Sequence, residues 1–234
     1  MNARVWKADA RGATNIGWLE SYHGFSFGSY RNPDNVHFGH LRVFNDDKVA
    51  PSAGFGTHGH DNMEIISIPL SGTIVHRDSL GHESPLRPGD VQAMSAGTGI
   101  LHSEFNGSDV DPLEFLQIWI IPNERGVKPQ YAETTVGWPF PQGITPVVGP
   151  NGASTPLHIH QDATLSLARV AGGETVDLPI AAGRLGYVFV ISGNAVVDGA
   201  AAGPRDAVGF TSTGSTMLSA SSDATFVVID LPSA

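Results

Sequence analysis

The chain has 234 residues and no cysteine. That excludes a disulfide framework, a cysteine zinc site, an iron–sulfur cluster and a thiol nucleophile. Positive charge is scarce: 13 Lys and Arg face 23 Asp and Glu, for a formal net charge of -10. Neutralising phosphates takes clustered Lys and Arg, and no such cluster stands out, so direct nucleic-acid binding is not expected. No run approaches the ~20 consecutive apolar residues of a membrane-spanning helix. The segment Met1-Asn2-Ala3-Arg4-Val5-Trp6-Lys7 lacks the apolar centre of a secretory signal, which points to the cytoplasm and away from membranes. Amphipathic helices longer than two turns are missing as well.

What is present is a hydrophobic fraction of 41%, enough to argue against wholesale disorder. A chain of this length should bury roughly 70% or more of its unfolded surface without covalent staples. Short apolar or alternating runs are punctuated by 28 Gly and 16 Pro. They include Leu41-Arg42-Val43-Phe44, Glu64 to Ile68, Thr73 to His76 and Phe115 to Ile120. Tyr187 to Ile191, Ala195-Val196-Val197 and Phe226 to Ile229 follow in the second half. Closely spaced strands with turn residues between them predict an all-β sandwich or barrel. Ser71-Gly72-Thr73-Ile74-Val75 is echoed by Ser192-Gly193-Asn194-Ala195-Val196. A turn with Pro and Asp follows each, at Pro88-Gly89-Asp90 and Pro204-Arg205-Asp206. The echo predicts two related β-barrels in tandem: residues 1–125, a connecting segment 126–156, and residues 157–234.

Ten histidines are the strongest chemical signal. His58 and His60 are spaced i, i+2, which puts both imidazoles on one face of an extended strand. His102 and Glu104 repeat the spacing. Two such pairs on neighbouring strands can converge, and three neutral imidazoles with one carboxylate suit a divalent transition metal that keeps open positions. Glu64, four residues past His60, shares that face if the strand is regular, so Glu104 and Glu64 both qualify as the carboxylate. His158 and His160 form a third pair, but no His-x-Glu follows them. They are read as structural or surface residues, with no metal expected in the second barrel. His76 and His82 flank a hairpin turn and are expected in solvent. His37 and His40 fall in a Gly-, Asn- and Pro-rich loop region, which leaves a role at the pocket mouth open, and His23 is given a packing or hydrogen-bonding role. Asn45-Asp46-Asp47 lacks the oxygen spacing of a calcium loop and is read as a polar turn. Gly97-x-Gly99 is read as a tight turn delivering His102.

His58-x-His60, Glu64 and Gly72 resemble the first cupin motif; Gly89, Ser95-Ala96-Gly97, His102 and Asn106 resemble the second, with two extra residues before the histidine. More specifically, the chain resembles the pirins. The matching stretches include Gly17-Trp18-Leu19, His23-x-Phe25-Ser26-Phe27, Asn45-Asp46-Asp47 and Gly54-Phe55-Gly56-x-His58-x-His60. Further on they include His76-x-Asp78-Ser79-x-Gly81, Arg87 to Glu104, and Leu116-Gln117-Ile118-Trp119. Gly59 departs from the family, where proline is common, and gives up rigidity between the two histidines.

The resemblance implies a bicupin, two barrels packed face to face, with a metal in the N-terminal one. It assigns His58, His60, His102 and Glu104 as ligands. One divalent metal is implied, Fe2+ first, with Zn, Cu, Ni, Mn or Co as alternatives. The activity implied is a quercetin 2,3-dioxygenase, cleaving a flavonol such as quercetin with O2 and releasing carbon monoxide. Glu104 is then the candidate base, with Glu64 beside it as a supporting group or alternative ligand. Phe25, Met63, Ile65 and Met94 are expected to line the aromatic pocket. The family also includes regulatory, redox-sensing members that act through a protein partner. A monomer is expected.

Overall fold

Gly and Pro separate short runs of β-branched and aromatic residues, and in the computed structural model, which describes residues 3–233, those runs are strands. The first half carries β1 (Arg4–Trp6), β2 (Gly12–Asn15), β3 (Leu19–His23), β4 (Leu41–Val49), β5 (Gly54–His60), β6 (Glu64–Ser71), β7 (Ile74–Asp78), β8 (Glu83–Leu86), β9 (Asp90–Ser95), β10 (Ile100–Asn106), β11 (Leu113–Ile120) and β12 (Gln130–Thr135). The second carries β13 (Gly143–Pro150), β14 (Leu157–Ile159), β15 (Thr164–Val170), β16 (Thr175–Asp177), β17 (Leu185–Ser192), β18 (Ala195–Val197), β19 (Ala200–Ala202), β20 (Ala207–Thr211), β21 (Met217–Ala220) and β22 (Ala224–Leu231). One 3-10 turn, Ala8–Ala10, is the only helical element among the described residues, and no helix is long and apolar enough to cross a membrane.

The strands build two cupin-type barrels, each a seven-stranded sheet faced by a four-stranded one. The N-terminal barrel pairs the order β12-β9-β6-β11-β4-β3-β2 with β5-β10-β7-β8. The C-terminal barrel pairs β1-β20-β17-β22-β15-β13-β14 with β16-β21-β18-β19.

Period-two alternation decides what each face does. On β11, Leu116, Ile118 and Ile120 join Phe44, Ile66 and Ile68 against Leu165, Leu167, Phe189, Val227 and Ile229 of the other barrel. The two large sheets therefore share one apolar core. Both faces of β11 are buried, which is why Phe115 to Ile120 reads as a nearly continuous apolar run rather than an alternating one. The interiors differ. In the C-terminal barrel Val188, Val190, Phe210, Leu218, Phe226 and Val228 fill the space with hydrocarbon. In the N-terminal barrel the inward positions include buried Asn45, Asp47, Ser67, His102, Glu104 and Gln117.

The expected boundaries are crossed twice. Residues 126–156, read as connecting structure, supply β12 to the N-terminal sheet and β13 to the C-terminal one. β12 is an edge strand whose side chains are mostly exposed on both faces, so it carries no apolar alternation. β13 contains Pro146, where its register with β15 shifts. Conversely, β1 leaves the N-terminal half and pairs with β20, with Trp6 opposite Ala207.

Candidate metal centre and cavity

β5 and β10 are antiparallel neighbours with His102 directly opposite His58. The register shifts between His102 and Glu104, a local irregularity beside the site. The outcome is that donor nitrogens of His58, His60 and His102 all lie within 4.8 Å of one another. Their ring centroids are 4.4 to 4.9 Å apart. His58 Nδ1–H donates to the Gly56 carbonyl at 2.8 Å, which leaves Nε2 with a free lone pair.

Chemistry at this cluster favours a cation. His60 Nε2 and both ring nitrogens of His102 are buried without a hydrogen-bond partner, an arrangement that costs free energy unless something occupies them. Burial, with His58 adjacent, pushes His60 down to about 4. Burial, with His58 and His60 adjacent, pushes His102 down to about 3. Near neutral pH both imidazoles are uncharged, the form that binds a metal. The residues present fit a divalent transition metal.

Glu104 is fully buried and pushed up to about 7 by desolvation, a rise partly offset by two donors. Ser67 Oγ donates to Oε1 at 2.9 Å, and Gln117 Nε2 donates to Oε2 at 2.8 Å. Its carboxylate groups with His102 and His76, again within 4.8 Å, rather than with all three histidines of the first set. His76 was expected in solvent, but its side chain is fully buried. It sits on β7 opposite Glu104. Its Nε2 meets Asp78 Oδ2 at 3.2 Å, Asp78 in turn meets His82 Nδ1 at 2.9 Å, and the Tyr131 ring stacks on both histidines. Sequence reading missed His76 although His76-x-Asp78 repeats the i, i+2 spacing that flagged the other pairs.

Glu64 is not in this cluster. Asn62 turns the chain with φ of 46° between β5 and β6, so the phase of β5 does not carry through. On β6 the inward residues are Ile65 and Ser67, while Glu64 shares the face of Ile66 and Ile68 toward the C-terminal barrel. There it accepts from Ser95 Oγ at 2.5 Å. Burial raises its carboxyl, and the Ser95 hydroxyl and the His160 backbone pull it back. The partner His160 is in the second half of the chain.

A cavity of about 470 Å³ opens beside His58 and His60, within the usual size of small-molecule sites. Trp18, Leu19, Phe27, Phe55 and Trp119 give it apolar walls; Thr14, Ser21, His23, Asn45, Asp47, Glu104 and Gln117 give it polar ones. Trp119 packs edge-on against His60 at 4.8 Å and against Phe27 at 5.4 Å. None of the four expected pocket residues lines it. Phe25 points into the core between the barrels beside Trp6 and Tyr187. Ile65 and Met94, with Met63 packed against them, form a small cluster with Ala96 and Ile100. Phe27, two residues beyond Phe25, takes the position assigned to it. Asn45-Asp46-Asp47 is not a turn either: it is the middle of β4, with Asn45 and Asp47 lining the cavity and Asp46 bonded to Arg205 at 2.8 Å. In the second half, His158 Nε2 meets the Ala153 carbonyl at 3.1 Å on an exposed strand position.

Two family models cover most of this architecture. Residues 5–120 match the model described as Pirin, and residues 146–231 match the Quercetinase C-terminal cupin domain. A protein named quercetin 2,3-dioxygenase from Escherichia coli strain K12 is 39% identical over 226 residues, spanning 97% of each chain. The crystal structure of YhhW from Escherichia coli superposes with a TM-score of 0.95 at 38% identity, covering 100% of this chain and 99% of that one. A second structure, described as bacterial pirin YhhW in complex with nickel(II), has a TM-score of 0.94 at 38% identity over the whole of both chains. With matching sequence along nearly its full length, and a histidine cluster formed on β5 and β10 of its first barrel, the chain belongs to the pirin family.

Proposed function

We propose that this protein is a metal-dependent dioxygenase of the quercetin 2,3-dioxygenase type, opening a flavonol such as quercetin with O2 and releasing carbon monoxide. The observation that carries the reading is the convergence of His58, His60 and His102 beside a cavity walled by flat aromatic side chains. The three imidazoles would hold the metal, with Glu104 as the carboxylate of the set. Fe2+ is the expected ion, and the nickel in the related pirin's description makes Ni2+ the first alternative. When bound, the metal supplies Lewis acidity toward an oxyanion.

The chain's own residues supply the rest. Phe27, Phe55 and Trp119 offer ring faces and edges against which a planar substrate packs. The substrate's 3-hydroxyl must lose a proton. Glu104 lines the same cavity, and burial raises its proton affinity in the direction a general base needs, while a bound cation would draw it back down. Gln117 Nε2 and Ser67 Oγ fix its carboxylate from behind. The test is incubation of metal-loaded protein with quercetin, with and without O2, following flavonol absorption and carbon monoxide. O2-dependent loss with equimolar carbon monoxide is expected. His102→Ala should retain under a tenth of the metal and lose turnover with it. No O2-dependent loss by protein carrying about one metal per chain overturns the reading.

A further inference from the structure

The inward face of the large N-terminal sheet carries a row of polar side chains at matched register. His23 lies opposite Asn45, Asn45 opposite Gln117, and Gln117 opposite Ser67. Neighbouring strands are ~4.8 Å apart, so the row extends roughly 14 Å across the barrel. Gln117 and Ser67 are spent on Glu104. The other end has no such client. His23 receives Thr14 Oγ1 at Nε2, 2.9 Å away, and its Nδ1–H donates to Asn45 Oδ1 at 2.9 Å. That bond fixes the Asn45 amide with its Nδ2 turned away from His23. One row over, Ser21 Oγ donates to Asp47 Oδ1. Among the described residues, Asn45 Nδ2 and Asp47 Oδ2 have no hydrogen-bond partner, although the two residues are 2% and 3% exposed and both line the cavity.

We infer that Asn45 and Asp47 form a hydroxyl-reading subsite, which selects polyhydroxylated aromatic substrates over those whose only hydroxyl is the one directed at the metal. Asn45 Nδ2 supplies a donor and Asp47 Oδ2, once ionised, an acceptor, on residues about 7 Å apart along β4 by strand rise. A phenolic hydroxyl donates and accepts, so separate hydroxyls of a polyhydroxylated ring meet the two groups, one accepting from Asn45 and another donating to Asp47. A bound ligand without those hydroxyls would cut both cavity-facing groups off from water and leave them unpaired, which is what penalises it. His23 and Ser21 are positioning residues here, since each holds one member of the pair in orientation. The inference rests on the flavonol reading for its substrate class.

The experiment compares quercetin with 3-hydroxyflavone, which keeps the metal-directed hydroxyl and lacks every other. Anaerobic binding to the metal-loaded protein is followed by quenching of Trp18 and Trp119, and turnover is measured separately under air. The wild type should bind quercetin about 100-fold more tightly. Asp47→Leu and Asp47→Asn, each checked for unchanged metal content and a cooperative melt, should weaken quercetin at least 10-fold and leave 3-hydroxyflavone within about 3-fold. Equal weakening of both ligands, an unchanged preference in the variants, or no preference in the wild type would overturn the subsite. If the wild type binds with the expected preference but consumes neither flavonol, the dioxygenase reading fails while the subsite stands.

Discussion

At the scale of single residues, burial sets the chemistry. Glu104 and Asp47 are both carboxyls pushed up to about 7 by desolvation, and the consequences differ. If Glu104 completes the proposed metal set it must be ionised to do so, so protons should compete with the metal below about pH 7 and affinity should rise with pH before levelling off above it. Gln117→Leu removes a donor that favours the ionised form, so the bend should move to higher pH; metal isotherms from pH 5.5 to 8.5 check this. For Asp47 the native group holds its proton to higher pH than the unfolded one, so its contribution to stability falls as pH rises from about 4 to 7 and stays low above that. Asp47→Asn removes the penalty. Its gain in Tm should therefore be larger at pH 8 than at pH 4.5, and the same gain at both would contradict the buried-acid account. The convergence of His58, His60 and His102 was legible because i, i+2 spacing on a strand is a rigid geometric statement. Glu64 was not, because the turn at Asn62 resets the phase, and one strand's alternation predicts nothing across a turn.

At the scale of elements, the close approach of β5 and β10 governs the site. A Cβ built on Gly54 would meet the Glu104 carbonyl oxygen at 2.4 Å and Phe105 Cα at 2.5 Å, both backbone atoms with little room to move. Two residues on, a Cβ at Gly56 meets nothing within 4 Å. Gly54→Ala should part the two strands and weaken metal binding at least 10-fold, with a lower Tm. Gly56→Ala should leave both nearly unchanged, and loss of metal in the second variant would refute the steric argument. Strands with one buried face, or with two, announce themselves through alternation or continuous apolar runs. The edge strand β12 has neither, and its Gln-Tyr-Ala-Glu-Thr-Thr sequence read as a connector for that reason. β4 misled in the opposite way. Its Asn and two Asp have the composition of a turn, yet Asn45 and Asp47 face a polar barrel interior while Asp46 answers Arg11 and Arg205 on the other side.

Across the whole molecule, the two-barrel plan was visible in the echoed Ser-Gly turns and its face-to-face packing was implied by the family resemblance, but the passage of β1 into the C-terminal barrel was not. Trp6 of β1 stands among Phe25, Phe38 and Tyr187, with centroids 5.6 to 5.8 Å away, and donates from Nε1 to Asn35 Oδ1 at 2.7 Å. Residues from both halves of the chain meet at this one indole. Trp6→Ala should cost about 3–5 kcal/mol. Because the apolar core is common to both large sheets, the loss should lower a single unfolding transition seen alike by near-UV dichroism and by metal release. Separate shifts in two transitions would mean that the barrels unfold independently.

The pairing of β1 with β20 joins positions roughly two hundred residues apart. At the ribosome's pace of about 5–20 residues per second, the first strand emerges some 10–40 s before its partner exists. During that interval the Trp6 ring and an unpaired edge are open to other nascent chains. Folding of the first half can bring Phe25, Phe38 and Asn35 to the indole but supplies neither Tyr187 nor a partner for β1, so completion of the second barrel, rather than of the one with the histidine cluster, ends the period in which a newly made molecule is vulnerable.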